Sequence, residues 1–390
     1  MAYNTDADKP FWHIEENSRQ AVDNISSHNG IGSTTTGPAK AFFGINHRQT
    51  PGVIPMNKDQ IGYTFFTRPL MNMTDDNLRA DRRLALLLNK NNTSFEKYMR
   101  CAFDHNIARS RADCPIFDNY QAFIPILTNF IESSSGWPDA MGMVYQSPEG
   151  QYKESFSFYD GPLNLNGTYD INCTFRNILG DPITDLFYYW LLYGSLQFED
   201  RIVSYPIFWW ENEIDYMTRI YRVIMDQEKV KVRGILSADA AYPLNSPLGQ
   251  RGNFERGTPF NRENDLINIT FRTNGLTYND PILYDEFNAV VCMFNPAMRD
   301  EKREQIFRKL PPWALTLFNF SGYPRINTET AELEWWVEKA FFYSIIDKSI
   351  ANSIDPEGEA EVESTDDRRT AIGQRSSELG LPTLPVSPRI

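Results

Sequence analysis

The sequence predicts an α+β fold that is mainly β, and three observations carry that expectation. Aromatic residues make up 14% of the 390 residues, with 26 Phe, 19 Tyr and 8 Trp, side chains that suit pleated, half-buried surfaces. Several short stretches alternate apolar and polar residues, the period of a strand with one buried face. One such stretch, Ile171–Arg176 (INCTFR), returns almost unchanged as Ile267–Arg272 (INITFR), and each copy leads into an Asp-Pro, at Asp181-Pro182 and Asp280-Pro281. Two strands of one sheet under the same pleat constraints would give this match, and so would a strand-turn-helix unit used twice.

Five regions are expected along the chain. Residues 1–60, rich in Asn, Ser, Thr and Gly, read as an extended arm. Residues 61–145 form a mixed helical and strand region. Residues 146–295 form a β domain, residues 296–352 a helical region, and residues 353–390 an acidic tail with Pro and Ser. In the second region, Gly62–Pro69 predicts a strand and Ser94–His105 a helix. Thr74 should cap a helix running to Asn89, with Asp75 and Asp76 beside its dipole. Ala122–Ile131 fits either type, and Ser133–Pro138 (SSSGWP) predicts a turn.

The β domain is the most regular part. Strands are predicted at Tyr152–Tyr159, Thr168–Asn177, Thr218–Met225, Lys229–Ala241 and Leu266–Thr273. Asp181-Pro182 predicts the start of a helix reaching Phe198, since Asp caps and Pro suits the first helical position. Asp280-Pro281 predicts a short helix. Further on, Asp300–Phe307 reads as a charged helix. Glu329–Ile346 reads as an amphipathic one, with Leu333, Trp336, Val337, Ala340, Phe341 and Ile345 on one face.

Composition narrows function. The formal net charge of −13 argues against a duplex-DNA clamp, which gains affinity by neutralising phosphates. Four cysteines, Cys101, Cys114, Cys173 and Cys292, show no CxxC spacing, so a disulfide scaffold is not expected. His13, His28, His47 and His105 show no helical metal-ligand spacing, so no metal or other cofactor is expected. The N-terminal residues lack a basic start and an apolar core, so no signal peptide is visible. The apolar run at Leu186–Leu192 is too short to span a bilayer, and the chain reads as soluble.

No nucleophile elbow or Walker A motif occurs, and no catalytic, cofactor-binding or metal-binding residues are assigned. Gly249–Gly257 (GQRGNFERG) carries Arg251 and Arg256, but Phe254 and Glu255 interrupt any phosphate cradle, and an intersubunit loop is the better reading. Trp209-Trp210 beside Glu211 and Glu213, and Trp335-Trp336 beside Glu334, put carboxylates next to aromatic platforms as sugar-cleaving enzymes do. A carbohydrate-active hydrolase therefore stays open as an alternative, as does a receptor-binding or adsorption protein. The favoured reading is a structural protein with no enzymatic role.

A family resemblance sharpens that reading. The order is strand (KESFSFYD), strand (YDINCTFRN), helix after GDPI, strand (RIYRVIMD), strand (VKVRGILSADAAYPLN), long loop and strand (INITFRTNG). It resembles the tube domain of contractile tailed bacteriophages, and GILSADAAYPLN followed by the NITF strand carries the likeness most strongly. The resemblance implies an antiparallel β-sandwich or split barrel with a flanking helix, six copies of which close into a β-lined ring. It implies a virion structural protein of a large phage tail, assembled in the host cytoplasm, serving as tube subunit, baseplate tube initiator or neck ring. Implied partners are further copies in a hexamer and other tail tube, baseplate or sheath proteins. Genomic DNA would pass through the lumen without specific binding, and no membrane is involved. The long flanks on either side of the domain favour a specialised ring over a plain tube subunit.

Overall fold

The computed structural model describes residues 61–354 except 92–93, 108–117, 212, 227–228, 253–255, 258–265, 316 and 319–321. The expected arm, the tail beyond Ile354, Cys114, His13, His28 and His47 lie outside the described residues. The chain divides into two compact units. One groups residues up to Asn295 with Ile326–Leu333, and the other groups Pro296–Arg325 with the residues from Glu334 onward.

The first unit is built on one antiparallel sheet. Its strands are β1 (Ile61–Phe66), β2 (Ile131–Ser135), β5 (Thr168–Arg176), β6 (Thr218–Met225), β7 (Val232–Pro243), β8 (Leu266–Asn274) and β9 (Leu276–Tyr278). They run in the order β1-β6-β7-β8-β5-β2, with β9 also on β7. The fold is α+β and mainly β, as expected. β5, β6 and β8 fall where alternation places them.

A corner in β7 folds this sheet back on itself. The middle of β7 pairs with β9 (Leu236↔Tyr278, Ala238↔Leu276), while its end pairs with β8 (Tyr242↔Arg272). β8 and β9 are thus one bent strand, kinked at Gly275 with φ +90°, opposite Ala240 with φ 42°. Such irregularities sharpen the local bend of a sheet. Asp239 holds the corner. Its amide donates to the Gly275 carbonyl at 3.1 Å, Thr273 Oγ1 donates to its carbonyl at 2.5 Å, and Arg219 Nε meets its carboxylate at 2.7 Å.

The bend brings two half-sheets face to face around aromatic rings. Phe66 on β1 lies 5.8 Å from Phe175 on β5 and 5.5 Å from Phe271 on β8. Phe187 closes the cluster at 5.6 and 5.7 Å. It comes from α4 (Pro182–Phe198), the flanking helix that the sequence predicts. On the opposite face of β1, Phe65 packs on Phe123 and on Phe287 of α6 (Ile282–Phe294). Phe65 and Phe66, adjacent on one strand, therefore fill two separate layers, because successive strand side chains point to opposite faces.

Several local expectations are corrected. Thr74 makes no capping bond; its hydroxyl donates to Asn72 Oδ1, and the helix α1 (Asp75–Arg79) is short. Asp81 interrupts it by accepting from the Arg83 amide at 2.7 Å, which starts a 3-10 helix over Arg82–Leu88. Ser94 does cap α2 (Phe95–Phe103). Ala122–Ile131 splits into α3 (Pro125–Phe130) and the start of β2. The serines of the expected turn are therefore strand residues. Asp181 is left-handed, with φ 51°, and makes no cap bond; its carboxylate takes Asn177 Nδ2 instead. The helix after Asp280-Pro281 is longer than the short one expected.

Among the described residues, two more strands pair only with each other. β3 (Gly142–Gln146) and β4 (Ser157–Leu163) form a separate antiparallel ribbon. The sequence places a strand at Tyr152–Tyr159. The observed one starts later and carries Gly161-Pro162 within it, which an unpaired strand edge tolerates.

The second unit holds β10 (Phe307–Lys309), which pairs with the far end of β12 (Glu332–Glu338). It also holds α7 (Asp300–Ile306), as expected, and α8 (Lys339–Ile354). The amphipathic helix expected from Glu329 is thus a strand up to Glu338. Leu333–Val337 are all buried, and a strand covered on both faces lacks alternation and imitates a helix. Phe318 stacks on Phe342 at 5.4 Å, and Arg303 lies 4.6 Å over the Trp336 ring.

Candidate functional site: an assembly surface on the sheet

The repeated hexapeptides turn out to be direct partners. β5 and β8 pair antiparallel, with Asn172 opposite Thr270, Cys173 opposite Ile269 and Thr174 opposite Asn268. Two copies of one motif in antiparallel register place Asn against Thr on either side of a local two-fold at Cys173–Ile269. Both Asn-Thr pairs bond in the same sense: Thr270 Oγ1 donates to Asn172 Oδ1 and Thr174 Oγ1 to Asn268 Oδ1, each at 2.8 Å. The inward residues of each motif, Ile171, Cys173, Phe175, Ile267, Ile269 and Phe271, are all buried.

The outward residues form a continuous polar face. Ser133 and Ser135 of β2 stand exposed beside Thr174 and Asn172. Asn245, beyond the end of β7, bonds the β8 backbone at Asn268 and Thr270. Asp170 takes Arg272 in a two-pronged pair at 2.9 and 3.0 Å. Their hydrogen bonds hold the Asp170 carboxyl below and the Arg272 guanidinium above their ordinary values. Arg176 ends the face as an exposed cation. The surface is therefore mostly hydroxyl and amide, and the carboxylate of Asp170 cancels the charge of Arg272.

Among the described residues that face ends at a sheet edge. β2 is the last strand on one side of the sheet and β1 the last on the other. Unpaired edges template association unless they are covered. Beside the sheet, both strands of the β3–β4 ribbon are exposed along their whole length, and so are their aromatics. Trp209, 67% exposed, and Trp210, 85% exposed, project from α5 (Pro206–Glu211).

The carboxylates beside the tryptophans stand in two different environments. Glu211 and Glu213 are exposed. Glu334 is buried and committed, to Lys309 Nζ at 2.9 Å, Arg325 at 3.6 Å and Trp336 Nε1 at 3.0 Å. Arg251, from the glycine-rich loop, is held by Asp185 at 2.8 Å and Asp181 at 3.3 Å, so it is engaged within the fold. His105 packs edge-on to Phe294 at 5.3 Å, and burial lowers its pKa. Cys101 and Cys173 are buried, and burial pushes the Cys173 thiol up to about 12. Among the described residues no group of His, Cys, Asp and Glu is arranged to hold a metal ion. No helix among them is long and apolar enough to cross a membrane.

The described residues thus form a sheet with β1 and β2 as its outermost strands and with a polar outer face. Residues 3–351 match the family model described as "Putative phage tail tube protein", and the chain belongs to that family. No curated protein matches it. Among solved structures, the tube-terminating cap of the anti-feeding prophage is 13% identical, with a TM-score of 0.26, covering 41% of this chain and 83% of the cap. The sheath/tube terminator of an extracellular contractile injection system is 11% identical, at TM-score 0.23, covering 40% and 86%. The sheath–tube complex of such a system gives 12% identity and TM-score 0.23, covering 41% and 83%. Likenesses of this size carry no functional argument.

Proposed function

We propose that this phage tail protein closes into a homo-hexameric ring, a structural part of the virion without enzymatic activity. The polar face of β2, β5 and β8 would line its channel. The observation that carries the reading is that face itself: hydroxyl and amide side chains across three strands, backed by a full aromatic core, and ending at an open edge. A channel that DNA must traverse cannot hold phosphates tightly, and on this face Asp170 neutralises Arg272, which leaves Arg176, at its end, as an exposed cation. The open edge of β2 suits pairing with the β1 edge of a neighbour, a head-to-tail contact that closes into a ring. Other tail tube, baseplate or sheath proteins would stack on it, and tube subunit, baseplate initiator and neck ring are its candidate positions. Assembly would take place in the host cytoplasm.

Electron microscopy of the purified full chain tests this. Class averages should show six-fold rings. Nanogold on Thr270→Cys should sit at the ring centre, with the unsubstituted chain as control for its native cysteines. A monodisperse monomer at high concentration sinks the ring, and gold at the outer rim sinks the channel assignment. The hydrolase reading has its own test: chain carrying Glu211→Gln and Glu213→Gln should match the parent on a polysaccharide panel, with neither releasing sugar.

A further inference from the structure

The dipeptide Asn-Gly occurs twice among the described residues, at Asn166-Gly167 and Asn274-Gly275. Both stand at the same end of the β5–β8 pair, where Thr168 lies opposite Asn274. Asparagine is a thermally labile residue. Before glycine it is most exposed to attack, because no Cβ screens the next amide nitrogen. The fold treats the two copies differently. Asn274 is the last residue of β8, and its Oδ1 takes the Thr168 hydroxyl at 3.2 Å. The Gly275 amide donates to the Gly167 carbonyl at 3.0 Å. Both reacting groups of that copy are therefore engaged. Asn166 is exposed, in the short link between β4 and β5. Among the described residues, neither its side chain nor the Gly167 amide makes a hydrogen bond. Packing also explains the glycine. An added Cβ at Gly167 would come 3.0 Å from the Tyr169 hydroxyl and 3.1 Å from its Cζ. Tyr169 is fixed there by donating to the Asn164 carbonyl at 2.7 Å.

We propose that Asn166-Gly167 is a self-modifying site, which turns its amide into a carboxylate while Asn274-Gly275 stays intact. The Gly167 nitrogen gives its proton to water and bonds to Asn166 Cγ. The Cγ–Nδ2 bond breaks, and ammonia leaves with that proton. Water then opens the cyclic imide at either carbonyl. One opening leaves an aspartate, and the other an isoaspartyl link that carries the chain through the side-chain carbon. Water is consumed, ammonia is released and nothing is oxidised or reduced. Each event adds a negative charge beside the start of β5. The isoaspartyl link also lengthens the backbone just ahead of Gly167, whose carbonyl holds Gly275 at the corner of the sheet. The same reaction at Asn274 requires the strand end to leave β5 and the Gly275 amide to give up its bond, which is a local opening of the fold.

Incubation of the full chain at mildly alkaline pH, followed by peptide mapping with mass spectrometry, tests this. Asn166 should convert to a mixture of aspartyl and isoaspartyl forms roughly tenfold faster than Asn274, a difference of about 1.4 kcal/mol in barrier. Asn166→Gln should lose the fast conversion while the chain stays folded. The same incubation in urea, where neither copy is held, should bring the two rates together. Equal rates in the folded chain, faster conversion at Asn274 or no conversion at Asn166 overturns the proposal. So does a difference that persists in urea, which would place its cause in the neighbouring residues and not in the fold. Chain converted at Asn166 should unfold at a lower urea concentration than Asn166→Asp, which carries the charge without the longer backbone. Equal midpoints overturn the effect on the corner.

Discussion

Asp215 shows what one buried group imposes on the fold. Its carboxylate is 1% exposed and takes the Tyr193 hydroxyl at 2.5 Å, while Tyr193 in turn accepts from the Asn72 amide. No cation pairs with it among the described residues. Burial therefore raises its carboxyl pKa, against the pull of donors that include Tyr193. Because the folded value exceeds the unfolded one, near 3.9, the folded state binds the proton more tightly. That contribution to stability is complete below the unfolded value and is lost as pH rises through the folded value. Asp215→Asn keeps the acceptor for Tyr193 without the buried charge. It should raise the denaturation midpoint at pH 7 and flatten its dependence between pH 4 and 7. An unchanged slope would show that the carboxylate is solvated in the folded chain. Nothing in the sequence around Asp215 marks it out, since its burial depends on Tyr193 and Asn72, far away along the chain.

At the scale of elements, the β5–β8 pair explains why the hexapeptides match. Identical strands in antiparallel register must be self-complementary, and Asn-Thr pairs are. Asn172→Thr should cost about 0.5 kcal/mol, within the usual range for cross-strand pairs. Adding Thr270→Asn should restore most of it, as read from urea midpoints. If the double variant loses the sum of the two single losses, the pairing energy does not lie in these side chains. The β7 corner supplies a second case. A Cβ on Gly275 would meet open space, with Asp239 Oδ2 nearest at 3.9 Å. Its φ of +90° still strains any L side chain, so Gly275→Ala should destabilise by about 1 kcal/mol. Strands with one buried face, β5, β6 and β8, were legible because alternation records that burial. β12 was misread because it is covered on both faces. β3 was missed because its residues are exposed on both, and apolar on both. The polar face of the site was therefore legible as the outward half of the alternating strands. The ribbon was not, because exposed apolar residues stand on both of its faces and leave no alternation to read.

At the scale of the whole first unit, the sheet separates two aromatic layers, and the predicted sandwich or split barrel describes only one of them. The sequence shows α4 as an aromatic-rich helix that would pack on the sheet or against a neighbour, and Phe187 packs on Phe175 and Phe271 of the sheet. It gives α6 only a short start, because the charged and polar residues Asp285, Glu286 and Asn288 break its apolar stripe. In the structure Glu286 is absorbed by Arg219 at 2.7 Å and Asn288 by the Ile326 backbone at 2.9 Å. With those groups satisfied, Phe287 can sit fully buried among Phe65, Phe123 and Tyr221, at 5.2, 5.1 and 5.5 Å. If both layers belong to one cooperative core, Phe66→Ala and Phe287→Ala should each cost about 3–5 kcal/mol, the usual loss for a buried phenylalanine. Urea unfolding of the full chain measures both, and the slope of the transition tells whether unfolding stays all-or-none. A loss below about 1 kcal/mol for Phe287→Ala, beside a full loss for Phe66→Ala, would make α6 a late addition to a fold that the split barrel holds by itself. Equal losses would mean that the corner of the sheet is stable only when both of its sides are filled.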